Sequence, residues 1–143
     1  MSFNVLIVDD SSSMRSVIRK VVTMSGFEMD NCFEAGNGKE ALAVMSENWV
    51  DLVISDINMP EMNGIQMLCQ MKADDLLRTI PVVIVSTEGN EERIHEAFEK
   101  GAGGFLKKPF QPEDCRQMLY QVMGMEEDGH YGTNDDDLGE FDF

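Results

Sequence analysis

The fold is decided by residues 52–60, which read LVISDINMP. Leu52-Val53-Ile54 is a short apolar run, typical of a strand buried on both faces of a parallel sheet. A single acid, Asp56, follows the run, and Pro60 then marks a loop. A buried strand that ends in an acidic loop is typical of α/β proteins, whose functional sites lie at the carboxyl ends of their strands.

Similar runs lie on both sides of this stretch, and helical patterns separate them. We predict further strands at about residues 5–8, 29–35, 82–85 and 103–106. Helical spacing of apolar residues predicts helices that include Met14 to Val22, Ala41 to Met45, Ile65 to Lys72, Glu91 to Lys100, and the segment from Pro112 to Val122. Strands that alternate with helices in this way favour one parallel five-stranded sheet covered by helices on both faces.

Length and charge limit the function. The chain has 143 residues, enough for one domain, and a net charge of −16. Residues 125–143 hold eight acids and no Lys or Arg, which leaves 19 acids against 11 bases in residues 1–124. We predict a domain over 1–124 and an acidic mobile tail over 125–143. Both parts repel phosphate backbones, so we expect no nucleic-acid binding. Phe141 and Phe143 leave open a docking role for the tail.

Other features fit a protein of the cytoplasm. No apolar run approaches the length of about 20 residues that a membrane span needs, and the N-terminus lacks the pattern of a signal peptide. Three cysteines without a C-x-x-C pair are expected to be reduced thiols. We expect Trp49 to be a packing residue near the start of a strand, and Asn37-Gly38 to be a turn.

Polar side chains follow four of the predicted strands: Asp9 and Asp10, Asp56, Ser86 with Thr87, and Lys107 with Lys108. Because such strand ends meet at one edge of the sheet, we expect the three aspartates to converge. Carboxylates about 5 Å apart repel by roughly 3 kcal/mol per pair. A hard divalent cation bound by oxygen ligands relieves that repulsion, and Mg²⁺ is the usual one. The sequence therefore predicts a Mg²⁺ site, in which Mn²⁺ can substitute.

Acids, a cation, a lysine and a hydroxyl around one carboxylate suit phosphoryl transfer. A carboxylate can itself be the nucleophile and form an aspartyl-phosphate. Asp56 is the best candidate because it follows its strand alone, whereas the adjacent acids Asp9 and Asp10 suit metal binding.

Five segments together resemble the receiver domain of two-component response regulators, and its stand-alone chemotaxis-type members in particular. The segments are VLIVDDSSSMR, EAGNGKEAL, DLVISDINMPEMNGI, IPVVIVSTE and GAGGFLKKPF. They span residues 5–110, and the final helix extends the match to about residue 124. The resemblance implies a single doubly wound (βα)5 flavodoxin-like domain with strand order 2-1-3-4-5.

The resemblance also implies roles for individual residues. Asp56 is the expected phosphoacceptor, and Asp9, Asp10, Asp56 and the backbone carbonyl of Asn58 are the expected Mg²⁺ ligands. Ser86, favoured over Thr87 by its spacing from Asp56, and Lys108 are expected to act in the switch. Lys108-Pro109 is expected to be cis. Phe105 is expected at the switch aromatic position, where it lacks the hydroxyl of the family's usual Tyr. Asn58 and Glu88 are expected to keep the phosphoryl group short-lived.

By the same resemblance, a histidine kinase donates the phosphoryl group, and the protein then changes its affinity for a partner. The expected output face is the fourth helix, the fifth strand and the fifth helix. Its partner is expected to be a flagellar motor protein, a kinase or a phosphatase. We expect a monomer that binds neither membrane nor nucleic acid, with no enzymatic activity beyond its own phosphorylation and dephosphorylation. A phosphate sink or phosphorelay shuttle remains an alternative.

Two other classes fit less well. Aspartyl-phosphate hydrolases of small metabolites typically carry D-x-D after the first strand and need a cap domain, whereas Asp9 and Asp10 are contiguous and the chain is short. A flavodoxin-like flavin protein conflicts with the acidic cluster, which would repel the flavin phosphate.

Overall fold

The computed structural model describes residues 2–87 and 91–125. Its sheet has five parallel strands in the order β2-β1-β3-β4-β5, as the resemblance implies. The strands are β1 (Phe3–Val8), β2 (Met29–Ala35), β3 (Leu52–Ser55), β4 (Val82–Ser86) and β5 (Gly104–Lys107). The helices are α1 (Ser12–Met24), α2 (Gly38–Glu47), α3 (Gly64–Lys72), α4 (Glu91–Glu99) and α5 (Pro112–Val122).

Small polar side chains fix where the first three helices begin. Ser11 caps α1, since its hydroxyl accepts from the backbone N–H of Met14 at 3.1 Å. Asn37 caps α2 in the same way, so the turn predicted at Asn37-Gly38 is wrong: these residues are the cap and the first residue of a helix. Asn63 and Gln66 form a capping box at α3. These caps place all three helix starts at the edge of the sheet where β1 and β3 end.

The core lies on both faces of the sheet. Alternate residues of β1 point to opposite faces: Leu6 and Val8 join one buried cluster, and Val5 and Ile7 join the other. The first cluster packs against α2, α3 and α4, and the second packs against α1 and α5. Burial on both faces explains why the central strands are continuous apolar runs.

Trp49 does not pack in the core, so its predicted packing role is wrong. Its side chain is 78% exposed. The indole Nε1 donates to Oδ1 of Asp51 at 2.8 Å, and the Trp49 carbonyl accepts from the side-chain amide of Asn4 at 2.8 Å. Hydrogen bonds, rather than apolar burial, therefore hold this residue at the edge of the sheet where β3 begins.

Most of the predicted tail, residues 126–143, lies outside the described residues. Met125, the first residue assigned to that tail, donates its backbone N–H to the Tyr120 carbonyl at 2.7 Å and packs against the α1/α5 side of the core. Among the residues that the structure describes, no helix is long and apolar enough to cross a membrane.

The three cysteines should differ in reactivity. Cys69 is exposed, whereas Cys115 is buried, and burial raises the pKa of the Cys115 thiol to about 12. Because only the thiolate reacts readily, this raised pKa leaves very little reactive Cys115 in the folded protein at pH 8. We expect iodoacetamide at pH 8 to label Cys69 first and Cys115 only on unfolding, as peptide mass mapping would show. Fast labelling of Cys115 in the native protein would contradict this burial.

The Cys115 thiol also makes the stability of the folded protein depend on pH. Its pKa in the folded protein lies above the ordinary value of 9.0, so protonated Cys115 is favoured in the fold. This contribution to stability is complete below about pH 9 and is lost as the pH rises towards 12.

Candidate functional site

Three carboxylates meet where β1 and β3 end. These strands are neighbours, with Val8 beside Ser55, so the residues that follow them also lie side by side. The backbone N–H of Asp56 donates to the Val8 carbonyl at 3.0 Å. One carboxylate oxygen from each of Asp9, Asp10 and Asp56 lies within 4.8 Å of the other two. The predicted convergence of the three acids is therefore present in the structure.

Asp9 is the most buried member of this cluster, with only 2% of its surface exposed. Its Oδ1 accepts from the backbone N–H of Ser11 at 2.9 Å, and its Oδ2 accepts from Nζ of Lys108 at 3.1 Å. Asp10 next to it is exposed. The pair thus offers one fixed carboxylate and one that faces solvent.

Lys108 reaches the cluster from the far side of β4. Its Nζ lies 3.1 Å from Oδ2 of Asp9 and 3.5 Å from Oδ2 of Asp56. Its backbone N–H donates to the Ser86 carbonyl at 2.9 Å, which ties the end of β5 to the end of β4. The Lys108-Pro109 peptide bond is cis, as the resemblance implies. Lys108 therefore bridges two acids that follow different strands.

Asp56 is half-buried, and its surroundings shift the pKa of its carboxyl in both directions. Burial raises the pKa of its carboxyl above the ordinary value. The charge of Lys108 and the N–H of Ile57, which donates to Oδ1 at 2.7 Å, both lower that pKa, whereas the negative charge of Asp9 raises it. The Ile57 N–H thus holds the Asp56 carboxylate in place, and the Lys108 ammonium lies beside it.

The chemistry of this donor set fits Mg²⁺. Among the described residues, three carboxylates face one lysine ammonium, Lys108, so the cluster carries uncompensated negative charge. All three are hard oxygen ligands, and the exposed Asp10 leaves space for the water molecules that Mg²⁺ usually keeps. Asp9, Asp10 and Asp56 would hold the ion, which would add positive charge beside the Asp56 carboxylate.

The other predicted residues lie around the cluster. Ser86 is the buried last residue of β4, and Thr87 beside it is exposed. Asn58 is exposed in the loop after β3. Phe105 is half-buried in β5 and packs against the α2/α3/α4 side of the core. Glu88 lies outside the described residues.

Two residues next to the site had no role in the sequence-based prediction. Gly64 begins α3 directly against the Asp56 loop: its N–H donates to the Ile57 carbonyl at 2.8 Å, and a Cβ there would lie 2.3 Å from the Asp56 carbonyl oxygen. Arg15 on α1 donates to the Asp9 carbonyl. The glycine itself was a signal of close backbone approach, but nothing in the sequence shows what Arg15 contacts.

We expect Gly64→Ala to lower the free energy of unfolding by about 2 kcal/mol, because the new methyl group collides with backbone that cannot rotate away. Urea denaturation followed by circular dichroism measures this loss. Gly103→Ala is the matched control, since its Cβ would have its nearest contact at 3.6 Å. Equal stability of the two variants would contradict the close packing of α3 on the Asp56 loop.

Comparison with known proteins identifies the family. Residues 5–120 match the response regulator receiver domain. The chemotaxis protein CheY homolog of Campylobacter jejuni is 36% identical over 120 residues, which cover 83% of this chain and 91% of that protein. Chemotaxis protein CheY-3 of Vibrio cholerae is 35% identical over 121 residues, covering 85% and 92%.

Solved structures of CheY proteins are also similar to this chain. The chemotaxis response regulator CheY4 of Vibrio cholerae is similar with a TM-score of 0.74 and 34% identity, covering 85% of this chain and 99% of that one. CheY in the CheX-CheY-BeF3-Mg+2 complex from Borrelia burgdorferi is similar with a TM-score of 0.75 and 32% identity, covering 85% and 89%. With its flavodoxin-like fold and its CheY homologues, the chain belongs to the receiver domains of two-component response regulators.

Proposed function

We propose that this chain is a phosphorylation switch, with Asp56 as the phosphoacceptor and Mg²⁺ as the cofactor. One observation carries the proposal: the Lys108 ammonium contacts both Asp9 and Asp56. The acceptor carboxylate of Asp56 therefore has a positive charge beside it and the proposed Mg²⁺ ligands Asp9 and Asp10 next to it. Positive charge on two sides of a carboxylate is what transfer of an anionic phosphoryl group requires.

The transfer step is a substitution at phosphorus. An oxygen of the Asp56 carboxylate forms a bond to the phosphorus of a phosphohistidine, and the P–N bond breaks. Its electron pair returns to the imidazole nitrogen of the donor. Lys108 balances the charge on the phosphoryl oxygens, and the N–H of Ile57 keeps the Asp56 carboxylate oriented.

Ser86 and Lys108 would convert phosphorylation into a change of shape. Both lie at strand ends beside Asp56, and the Lys108 N–H to Ser86 carbonyl bond couples their backbones. Each charge-assisted hydrogen bond to the phosphoryl group contributes about 1.5–3 kcal/mol. Reversing a 1:99 population needs about 5.5 kcal/mol, so two such bonds nearly supply it.

Phe105 would pass this change to the output face formed by α4, β5 and α5. Beside it, a surface hollow of about 370 Å³ includes Phe105, Lys107, Phe110, Gln117 and Met118 in its lining. A partner protein that reads the switch would bind here. By similarity to the chemotaxis relatives, we propose that a histidine kinase is the phosphodonor, that the pathway is chemotaxis, and that the protein acts in the cytoplasm.

The test is the intact mass of the protein after incubation with acetyl phosphate and Mg²⁺. We expect one added phosphoryl group, and none when EDTA removes the cation. A folded protein that binds Mg²⁺ but gains no mass would overturn the proposal. Continuous release of phosphate from small phosphorylated metabolites would instead indicate a hydrolase.

A further inference from the structure

The side chain of Arg15 joins the metal-binding loop to β2. Its Nη1 donates to the backbone carbonyl of Asp9, and its Nε donates to Oε1 of Glu34 at 2.7 Å. Only 18% of the Arg15 side chain is exposed, compared with 34% for Glu34. The guanidinium is therefore fixed by two partners, the Asp9 backbone carbonyl and the Glu34 carboxylate, and neither bond involves a carboxylate of the cluster.

The carbonyl that Arg15 binds lies immediately after the end of β1. β1 ends at Val8, and the Asp9 N–H still bonds across to the Ala35 carbonyl at 3.1 Å. The Asp9 carbonyl belongs to the peptide group that joins Asp9 to Asp10. Because a peptide group is planar, its orientation sets the direction in which the chain continues to Asp10.

Asp10 depends on this restraint more than Asp9 does. The carboxylate of Asp9 is held directly by the Ser11 N–H and by Lys108. Asp10 is exposed, so the backbone orientation decides whether its carboxylate points into the cluster. A planar guanidinium with several N–H donors can bond Asp9 and Glu34 together, which a lysine ammonium does less well.

From these contacts we infer that Arg15 is a positioning residue for the cation site: it orients the Asp9-Asp10 peptide group and thereby places both carboxylates. This inference rests on the proposed function, because it assumes that Asp9, Asp10 and Asp56 bind a divalent cation. Arg15 itself is not one of the proposed cation ligands. Its effect should appear in cation affinity, even without any phosphodonor.

Arg19 provides a matched control. It lies one helical turn further along α1, and its Nη1 is 3.7 Å from Oε2 of the same Glu34, but its side chain is 54% exposed. Arg15→Met and Arg19→Met each remove one positive charge from this side of the molecule. Charge alone would make a cation bind more tightly to both variants, whereas loss of positioning weakens binding in Arg15→Met only. Loss of charge alone and loss of positioning therefore predict opposite changes in the cation affinity of Arg15→Met.

The experiment measures Mn²⁺ affinity from the electron paramagnetic resonance signal of the free ion, with the full chain and its variants. We expect Arg15→Met to bind Mn²⁺ about tenfold more weakly than the wild type, the scale typical of lost support to metal ligands. Arg19→Met should bind as well as the wild type or slightly better. Arg15→Lys should fall between Arg15→Met and the wild type, since the ammonium can still reach one carbonyl.

Four outcomes would overturn the inference. Arg15→Met that binds as tightly as Arg19→Met leaves no positioning role. A wild type that binds no Mn²⁺, or an Asp9→Asn variant that binds as well as the wild type, overturns the proposed cation site as well. If Arg15→Met does not fold, Arg15→Lys keeps the positive charge, and Mn²⁺ affinity equal to that of the wild type in this variant would contradict the inference.

Discussion

Asp56→Asn should gain no phosphoryl group from acetyl phosphate and Mg²⁺ under conditions in which the wild type gains one. An amide oxygen is a far poorer nucleophile than a carboxylate, so the covalent step stops. The asparagine has the same shape, and its oxygen can still accept the Ile57 N–H that now binds Oδ1. The fold should therefore survive, and intact mass is the measurement.

Asp30→Asn is the control for this loss, because Asp30 is an exposed acid on β2, outside the carboxylate cluster. It should gain the phosphoryl group as the wild type does. A mass gain in Asp56→Asn would move the acceptor to another acid, with Asp9 and Asp10 the next to test.

Replacing Lys108 with methionine should make stability depend strongly on Mg²⁺. In EDTA we expect the free energy of unfolding to fall by about 3 kcal/mol, because removing one partner leaves the buried Asp9 carboxylate without its counter-charge. Added Mg²⁺ should reduce this difference in unfolding free energy, because a cluster without the Lys108 charge binds the cation more tightly and is stabilised more by it. Urea denaturation in EDTA and in Mg²⁺ measures both effects.

Lys107→Met removes a lysine from the neighbouring position, where the side chain is exposed. It should change stability little, with or without Mg²⁺. If Lys108→Met and Lys107→Met lose the same stability, Lys108 does not balance the charge of the cluster. The same conclusion follows if Mg²⁺ leaves the stability difference between Lys108→Met and the wild type unchanged.

The features that could be predicted from the sequence are those set by local pattern. The apolar run at residues 52–54 and the acid at 56 fixed a strand and its end, because a strand buried on both faces must be continuous and apolar. That Asp9 and Asp56 lie at the same edge of the sheet followed from strand parallelism. The strand order required the family resemblance, since periodicity does not show which strands are neighbours.

The features that could not be predicted depend on contacts between distant segments. Trp49 was expected to be packed because it is large and apolar, but Asp51 and Asn4 hold it at the surface. Asn37 was assigned to a turn because Asn-Gly favours turns, yet its side chain caps α2. Arg15 reaches Asp9 only because α1 packs beside β1 and β2, which no window of sequence reveals.

The exposed position of Trp49 decides which optical signals can follow this protein. It is the chain's one tryptophan, and it precedes β3, whereas Asp56 follows that strand. Seven residues of largely extended chain place them about 20 Å apart. Indole fluorescence should therefore be nearly silent to events at Asp56. Because the indole is already 78% exposed, its emission should also change little on unfolding, which leaves circular dichroism for stability and mass for phosphorylation.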